Sequence, residues 1–219
     1  MSSTLASTVM CVTNRHLTHQ PILLARSQCD YCAITLIWWQ LLPCLGWLLQ
    51  IGRCHNCRQK ISSLYPLAEL MTGVVGVLSY ETRTPQQFLL QLLFILILLA
   101  LSVTDAVQLQ VPVLGLLGLL LTGLLLNPPT VYHLLMVIIC YLLLNKCRFT
   151  DQWLGKGDLD FFAISWLTFD FQTATLTIFM ASIMALANNF RRDGQTRLPF
   201  FPYLWVATGL VILWQTSHQ

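Results

Sequence analysis

Apolar residues dominate long stretches of this chain, and short polar or proline-containing segments separate them. Neither FLLQLLFILILLALSV at 88–103 nor VYHLLMVIICYLLL at 131–144 contains an Asp, Glu, Lys or Arg. Because about 20 apolar residues cross a bilayer core as a helix, such runs predict membrane helices. The predicted spans are 64–80, 88–104, 111–126, 130–145, 159–169, 172–190 and 199–216. Several are short, which predicts tilted or bent helices or helices buried against their neighbours.

Composition supports the same fold class. Charged residues make up 10% of the 219 positions and hydrophobic residues 56%, whereas about a quarter of an ordinary soluble domain is charged. We therefore predict an all-α polytopic membrane protein, a bundle of about seven to eight transmembrane helices with a small cytosolic four-cysteine loop. The N-terminus lacks the basic and apolar regions of a cleavable signal peptide.

Three regions are predicted along the chain: 1–14, 15–63 and 64–219. Residues 1–14 are mildly apolar and too short to cross a membrane. They are interpreted as the remnant of a first transmembrane helix whose beginning is missing, and a frayed tail is the alternative left open. Residues 15–63 are predicted to form a cytosolic zinc-binding loop with an interfacial segment. Residues 64–219 are predicted to form the catalytic helix bundle.

The basic residues predict which side of the membrane each loop occupies. If 15–63 is cytosolic and the spans alternate from there, eleven of the twelve Lys and Arg residues lie in cytosolic segments, and Arg83 is the exception. This is the bias of the positive-inside rule. The same alternation puts Asp105 and Asp158 on the cytosolic side, each at the end of a predicted helix.

Two Cys-x-x-Cys pairs, CDYC at 29–32 and CHNC at 54–57, are separated by 21 residues. This arrangement is typical of a tetrahedral zinc site, because each tight turn presents two thiolates to one metal ion. Four protein ligands leave no open position for water, so the zinc is expected to be structural. The alternatives are disulfides, which are unusual on a cytosolic face, and unconnected thiols. The predicted ligands are Cys29, Cys32, Cys54 and Cys57.

The apolar stretch 34–52 lies between the two cysteine pairs. If it crossed the membrane, the pairs would lie ~30 Å apart and could not share a metal ion. Pro43 and Gly46 also interrupt a continuous helix. We therefore predict an amphipathic segment that lies on the membrane, with three tryptophans at the headgroup level.

Asp105 and Asp158 are the candidate catalytic residues. An acid at membrane depth is costly, so it suggests a function, although Asp also caps helix N-termini. Two carboxyls near one water can share a proton, and the ionised one then deprotonates water while the neutral one polarises a carbonyl. Asp160 faces away from Asp158 because it is two residues further along a helix. A capping role is favoured for Asp160, Asp170, Asp151 and Asp193, and a structural role for Glu69.

Five ordered groups of residues support a relationship to a known family. They are the two cysteine pairs around LLPCLGWLL (41–49), RCHNCRQKISSLYPLAEL (53–70), Asp105 with Val111-Pro112, Gly155-Lys156-Gly157-Asp158, and LPFFPYL (198–204). Together they resemble the type IV prepilin leader peptidases, aspartic proteases of the Gly-x-Gly-Asp type. The short form is similar to the Gram-positive competence branch, which processes pilin-like DNA-uptake proteins.

The resemblance implies an intramembrane aspartic endopeptidase of the bacterial cytoplasmic membrane. Its partners would be prepilin or pseudopilin precursors and membrane lipid, with no direct contact to nucleic acid. It would remove a basic leader at the cytosolic face, for a competence pilus, DNA uptake or type II-like secretion. By this analogy Asp105 and Asp158 form the catalytic pair.

The sequence also departs from the family pattern. Around the second acid, Lys156 stands where the family has Met, and Asp160 where it has Lys. Some members use S-adenosylmethionine to methylate the new N-terminus, which is left open here because no Gly-rich nucleotide loop is visible. Two other functions also stay open: a non-catalytic scaffold whose zinc loop docks an assembly partner, and a proton-coupled transporter.

Overall fold

The computed structural model describes residues 1–18, 26–29, 31–146, 155–189 and 198–217. These residues form nine α-helices and a 3-10 turn, with no strand beyond two isolated bridges. The helices are α1 Ser2–Leu17, α2 Leu45–Leu49, α3 Leu64–Thr82, α4 Pro85–Gln108, α5 Val113–Leu126, α6 Val131–Lys146, α7 Lys156–Thr168, α8 Phe171–Asn189 and α9 Phe201–Ser217. Each of the seven predicted spans coincides with one of the helices α3 to α9.

The helical fold class is confirmed for the described residues. Two of the helices there, α4 and α8, are long and apolar enough to cross a membrane, and α5 and α6 are shorter apolar helices. The predicted total of seven to eight crossings stays a prediction. Capping defines the start of α4: the Thr84 hydroxyl accepts a hydrogen bond from the backbone N–H of Gln87, and Pro85 occupies the first turn, where its missing N–H costs nothing.

The chain divides into two compact units, Met1–Val77 and Leu78–Gln219, and the boundary falls within α3. The functional division at residues 14 and 63 stays a prediction. In the first unit, residues 2–17 form a helix and not a frayed tail. A Cβ atom added to Gly76 would lie 2.8 Å from the Cβ of Ser2, so the glycine allows α1 and α3 to approach closely.

The stretch 34–52 does not form a continuous helix, as predicted from Pro43 and Gly46. It forms the 3-10 turn Trp38–Leu41 and the short helix α2. The indole N–H of Trp47 donates to the carbonyl of Ile61 at 3.3 Å, which ties this stretch to the chain after the second cysteine pair. Trp38 is 73% exposed among several exposed leucines, as expected of a segment that lies on a membrane.

In the second unit the helices pack in the order α4, α5, α7, α8, α9 and back to α4, while α6 packs on α7. Glycines on α5 permit two of these contacts. A Cβ atom on Gly115 would lie 3.0 Å from Cγ of Leu101, and one on Gly123 would lie 3.2 Å from Cβ of Thr168. Phe161 and Phe201, both fully buried, meet edge to face with ring centroids 5.8 Å apart.

Large apolar side chains also cover the outside of this unit. On α6 the only buried residue is Val137, whereas five other apolar side chains are more than half exposed: Val131, Leu135, Ile139, Leu142 and Leu143. An apolar surface of this kind is unusual on a soluble monomer and is expected where lipid or another apolar partner covers it.

Candidate active site and metal centre

Asp105 lies in the last turn of α4 and is only 7% exposed. Its Oδ2 atom accepts a hydrogen bond from the backbone N–H of Phe201 at 3.0 Å, and the N–H of Phe200 also donates to its carboxyl group. The Ser102 hydroxyl, one turn earlier on α4, lies 3.0 Å from the carbonyl oxygen of Phe201. The start of α9 is therefore fixed against the end of α4, and its free backbone donors point at the acid, as free N–H groups at helix N-termini do toward anions.

Asp158 lies in the first turn of α7 and is partly buried. Its carboxyl accepts a hydrogen bond from the N–H of Gly155. Gly157 lets this turn approach its neighbours, since an added Cβ would lie 3.2 Å from Cγ2 of Val111 and 3.6 Å from the ring of Phe201. The Gly-x-Gly-Asp turn is thus set against the α4–α5 loop and the start of α9.

Asp105 and Asp158 both lie beside the start of α9: Asp105 accepts the N–H of Phe201, and Gly157, next to Asp158, lies against the Phe201 ring. Burial and the neighbouring Asp105 charge both disfavour a negative charge on Asp158. Two carboxyls that repel in this way hold one shared proton more readily than two charges. A pair of this kind is able to act as a general acid and a general base toward one water molecule.

Asp160 makes a different contact, as predicted from its position two residues beyond Asp158. Its Oδ1 atom accepts a hydrogen bond from the Tyr141 hydroxyl on α6 at 2.7 Å. The predicted capping role for Asp160 is wrong, because Gly155 occupies the N-cap position and no side chain caps α7. The N-cap residue lies five residues earlier, so the side chain of Asp160 reaches a neighbouring helix instead of the first-turn N–H groups.

The other predicted acids divide between the described and undescribed parts of the chain. Asp170 immediately precedes α8, and its Oδ2 atom accepts a hydrogen bond from the Thr173 hydroxyl at 3.4 Å, in keeping with a helix-start role. Asp151 and Asp193 lie outside the described residues. Glu69, 8% exposed, accepts a hydrogen bond from the backbone N–H of Cys44 at 2.7 Å, a contact in keeping with the structural role that was favoured while its function was left open.

The two cysteine pairs form equivalent turns. The N–H of Cys29 donates to the carbonyl of Ile34, and the N–H of Cys54 donates to the carbonyl of Gln59. In each turn the fourth residue after the first cysteine, Ala33 or Arg58, donates back to that cysteine's carbonyl and has a positive φ, 53° and 60° respectively. The same backbone path therefore presents both pairs of thiols.

The four thiols lie together, and their arrangement could hold a metal ion. All four Sγ atoms lie within 4.8 Å of one another, with Cys29 and Cys57 3.9 Å apart and Cys32 and Cys54 4.0 Å apart. A tetrahedral ion with metal–sulfur bonds of ~2.3 Å separates its ligands by about 3.8 Å. The geometry therefore fits a four-cysteine metal site, and the pairs lie on one side of any membrane.

Backbone donors prepare two of these thiols to act as ligands. The N–H of Ile34 donates to Cys32 and lowers the pKa of its thiol to about 6. The N–H of Cys57 likewise lowers the pKa of the Cys54 thiol. By contrast, burial and the nearby Glu69 carboxylate raise the pKa of Cys44. Thiolates are the metal-binding form, so Cys32 and Cys54 are set apart from Cys44. Within the cluster, burial and the hydrogen-bonded neighbouring thiols raise the pKa of Cys57 to about 11.

Sequence reasoning missed three contacts at these sites. It did not predict the amide donors of Phe200 and Phe201 to Asp105, although LPFFPYL was singled out as a motif. It did not predict the contact of the Tyr141 hydroxyl, because α6 carries other polar side chains as well, such as His133 and Asn145. It kept Glu69 open without identifying Cys44 as its partner, because nothing in the local sequence indicates a contact 25 residues away.

Comparisons with known proteins place the chain in a family. The bacterial peptidase A24 N-terminal domain matches residues 1–82. The prepilin leader peptidase/N-methyltransferase of Pseudomonas putida is 31% identical over 209 residues, which cover 87% of this chain and 73% of that protein. The protein of the same name from Stutzerimonas stutzeri is 28% identical over 211 residues, 88% of this chain and 73% of that protein.

A relative from a Gram-positive bacterium also carries this name. The Bacillus subtilis (strain 168) prepilin leader peptidase/N-methyltransferase is 33% identical over 95 residues, 43% of this chain and 38% of that protein. It supports the Gram-positive branch named from the sequence. No solved structure matches the chain. Since the P. putida relative is similar along most of both chains, this chain belongs to the prepilin leader peptidase/N-methyltransferase family.

Proposed function

We propose that this protein is an intramembrane aspartic endopeptidase of the bacterial cytoplasmic membrane that removes the basic leader from prepilin or pseudopilin precursors. The observation that carries the proposal is that Asp105 and the turn that holds Asp158 both meet Phe201 at the start of α9, in a chain of this family. The names of the relatives support prepilin processing in general. Competence, DNA uptake or type II-like secretion is the biological setting inferred from the sequence resemblance.

The proposed chemistry is hydrolysis of one peptide bond by the two carboxyl groups and water. The ionised carboxyl takes a proton from the water, whose oxygen bonds to the scissile carbonyl carbon, while the protonated carboxyl donates to the carbonyl oxygen. When the tetrahedral intermediate collapses, the carbon–nitrogen bond breaks and the leaving amine takes a proton from the pair. The amides at the start of α9 hold Asp105, and the glycines around Asp158 hold the second carboxyl close by.

The location of the acids suits such a substrate. A precursor with a cytosolic leader and an apolar helix in lipid presents its cleavage site near the membrane boundary. Asp105 lies in the last turn of a helix apolar enough to span the bilayer, and Asp158 in the first turn of α7. We accordingly place the protein in the membrane as a multi-pass chain, with the cleavage site at the cytosolic face.

We further propose that the four-cysteine cluster binds structural zinc. The residues that would hold it are Cys29, Cys32, Cys54 and Cys57, whose spacing suits four thiolates around one ion. Bound zinc would cross-link the two cysteine turns. The names of the relatives include an N-methyltransferase; our proposal is limited to the peptidase, and S-adenosylmethionine would be the methyl donor if that activity is retained.

One observation favours the non-catalytic scaffold as a second candidate function. Asp105 accepts backbone N–H groups at the start of α9, and this contact would also suit an acid that only holds two helices together. The two functions differ in what neutralising the acid does: an asparagine oxygen still accepts an N–H group, but it cannot exchange a proton with water.

The test is leader removal from a co-expressed pilin-like substrate, followed by N-terminal sequencing of the product. We expect Asp105→Asn and Asp158→Asn each to lower processing by about 10³-fold, in the range of a lost general acid or base. Because both changes keep an acceptor oxygen, protein levels should stay at wild type. Asp170→Asn is the matched control and should process normally. Wild-type processing by either active-site variant would favour the scaffold.

A further inference from the structure

Tyr141 makes the side-chain hydrogen bond that joins α6 to α7 at the start of the latter helix. Its hydroxyl donates to Oδ1 of Asp160 on α7 at 2.7 Å. The two helices also pack against each other. Both groups are partly buried, so competition from water is reduced and a hydrogen bond to a carboxylate is correspondingly strong. The proposed peptidase chemistry does not use this contact.

Asp158 and Asp160 face opposite sides of α7. Each residue turns an α-helix by about 100°, so side chains two residues apart point about 200° away from each other. Asp158 follows Gly157, which lies against Val111 and against the ring of Phe201 beside Asp105, and Asp160 contacts Tyr141 on α6. Any rotation of the first turn of α7 that breaks the Tyr141 contact would therefore also move the Asp158 carboxyl.

Among the described residues, which exclude 147–154 just before α7, few other side chains hold this first turn in place. The N-cap residue is Gly155, and no side chain caps the helix. Gly157 packs closely against Val111 and Phe201, but a glycine has no side chain that could form a hydrogen bond. The Tyr141–Asp160 bond thus supplies directional support on the side opposite the candidate catalytic acid.

We propose that Tyr141 is a positioning residue: through Asp160 and the first turn of α7, its hydroxyl holds the Asp158 carboxyl toward Asp105. The inference rests on the proposed peptidase function. Tyr141 does not touch the reacting atoms in this proposal, and it acts only by fixing the angle at which α7 presents Asp158. A misplacement of a reacting group by about 1 Å is sufficient to slow an enzyme substantially.

The test uses the purified full-length protein in detergent and a pilin-like substrate, with kcat and KM measured separately. We expect Tyr141→Phe to lower kcat by about tenfold, equivalent to ~1.4 kcal/mol, with KM unchanged. Asp160→Ala should give the same loss, and the double variant should lose no more than either single variant, because one interaction is removed in each case.

Two conservative variants serve as controls. Asp160→Asn keeps an oxygen that accepts a hydrogen bond from Tyr141, so it should retain most of the wild-type kcat. If the charge of Asp160 were what mattered, this variant would instead lose activity like Asp160→Ala. Tyr132→Phe removes a hydroxyl from the same helix at a position that is 74% exposed, and it should process at the wild-type rate.

Several results would overturn the inference. They are an unchanged kcat in Tyr141→Phe, an effect confined to KM, an additive loss in the double variant, or a loss explained entirely by a smaller folded fraction. A failure of the proposed function is distinguishable, because it would show as processing that is absent from the wild-type protein or insensitive to Asp105→Asn and Asp158→Asn.

Discussion

The cysteine cluster and the acid pair assemble in different ways. Each cysteine pair is presented by one short turn that closes on itself locally, from Cys29 to Ile34 and from Cys54 to Gln59. Each acid comes from a separate helix, and Asp105 is held by an amide 96 residues further along the chain. A site made of local turns is readable from residue spacing, whereas a site made of converging helices depends on distant residues that hold each helix in place.

The largest effect is expected in the cluster, because its ligands act as a unit. Cys54→Ser removes one of the four thiols that we propose as zinc ligands, and structural zinc contributes about 10 kcal/mol or more to the folding of small zinc domains. We expect loss of the bound metal and unfolding of the two cysteine turns. Metal content per purified chain and the rate of proteolytic cleavage within 26–61 measure the two effects.

Cys44→Ser is the matched control, since Cys44 lies between the pairs but outside the cluster. It should keep the metal and resist proteolysis like the wild-type protein. Full metal content in Cys54→Ser, or equal loss in the control, would contradict the idea that the four thiols form one site.

The sequence predicts locally formed features better than contacts between distant residues. Apolar runs located helices α3 to α9, and the Cys-x-x-Cys spacing correctly grouped Cys29 and Cys32 with Cys54 and Cys57. The side chain of Asp160 was misassigned, since its partner Tyr141 lies on a preceding helix and no local pattern indicates the contact. The helix Ser2–Leu17 was left undecided between remnant and tail, because its sequence is only mildly apolar and its partner α3 lies far along the chain.

Glu69 is an exception to the local character of the first unit, because it supports Cys44 from 25 residues away. Its carboxylate accepts the N–H of Cys44, a residue with a positive φ of 58°. Removing the acceptor leaves that N–H unsatisfied, which costs ~1–3 kcal/mol. We expect Glu69→Ala to lower the free energy of unfolding by about 2 kcal/mol and to leave metal content unchanged.

Glu69→Gln keeps an oxygen for the Cys44 amide and should retain most of the stability. Denaturant unfolding of the purified protein provides the comparison. Metal loss in Glu69→Ala would show that the cluster depends on contacts outside its two turns, against the local character assigned to it. Equal destabilisation by both variants would mean that the charge of Glu69, and not its hydrogen bond, supports the segment.

The smallest effect is expected at the acid pair. A single methyl group added at Gly155 tests whether activity depends on the exact position of the Asp158 carboxyl. A Cβ atom on Gly155 would lie 2.9 Å from Oδ2 of Asp158, so the carboxyl must move. Gly155 has φ −66° and ψ 141°, which alanine adopts without strain. We therefore expect Gly155→Ala to slow leader removal by about tenfold, or ~1.4 kcal/mol, with little change in thermal stability.

Gly118→Ala on α5 is the control for loss of a glycine. Its added Cβ would meet only the side chain of Ile97, at 3.3 Å, so processing should stay near the wild-type rate. Equal rates for Gly155→Ala and the wild-type protein would mean that Asp158 tolerates displacement. The acid pair would then be adjusted when the substrate binds instead of being fixed by the helices. The contrast with the cysteine cluster, whose four thiols already lie within 4.8 Å of one another, would be greater still, because the acid pair would be completed only by its substrate.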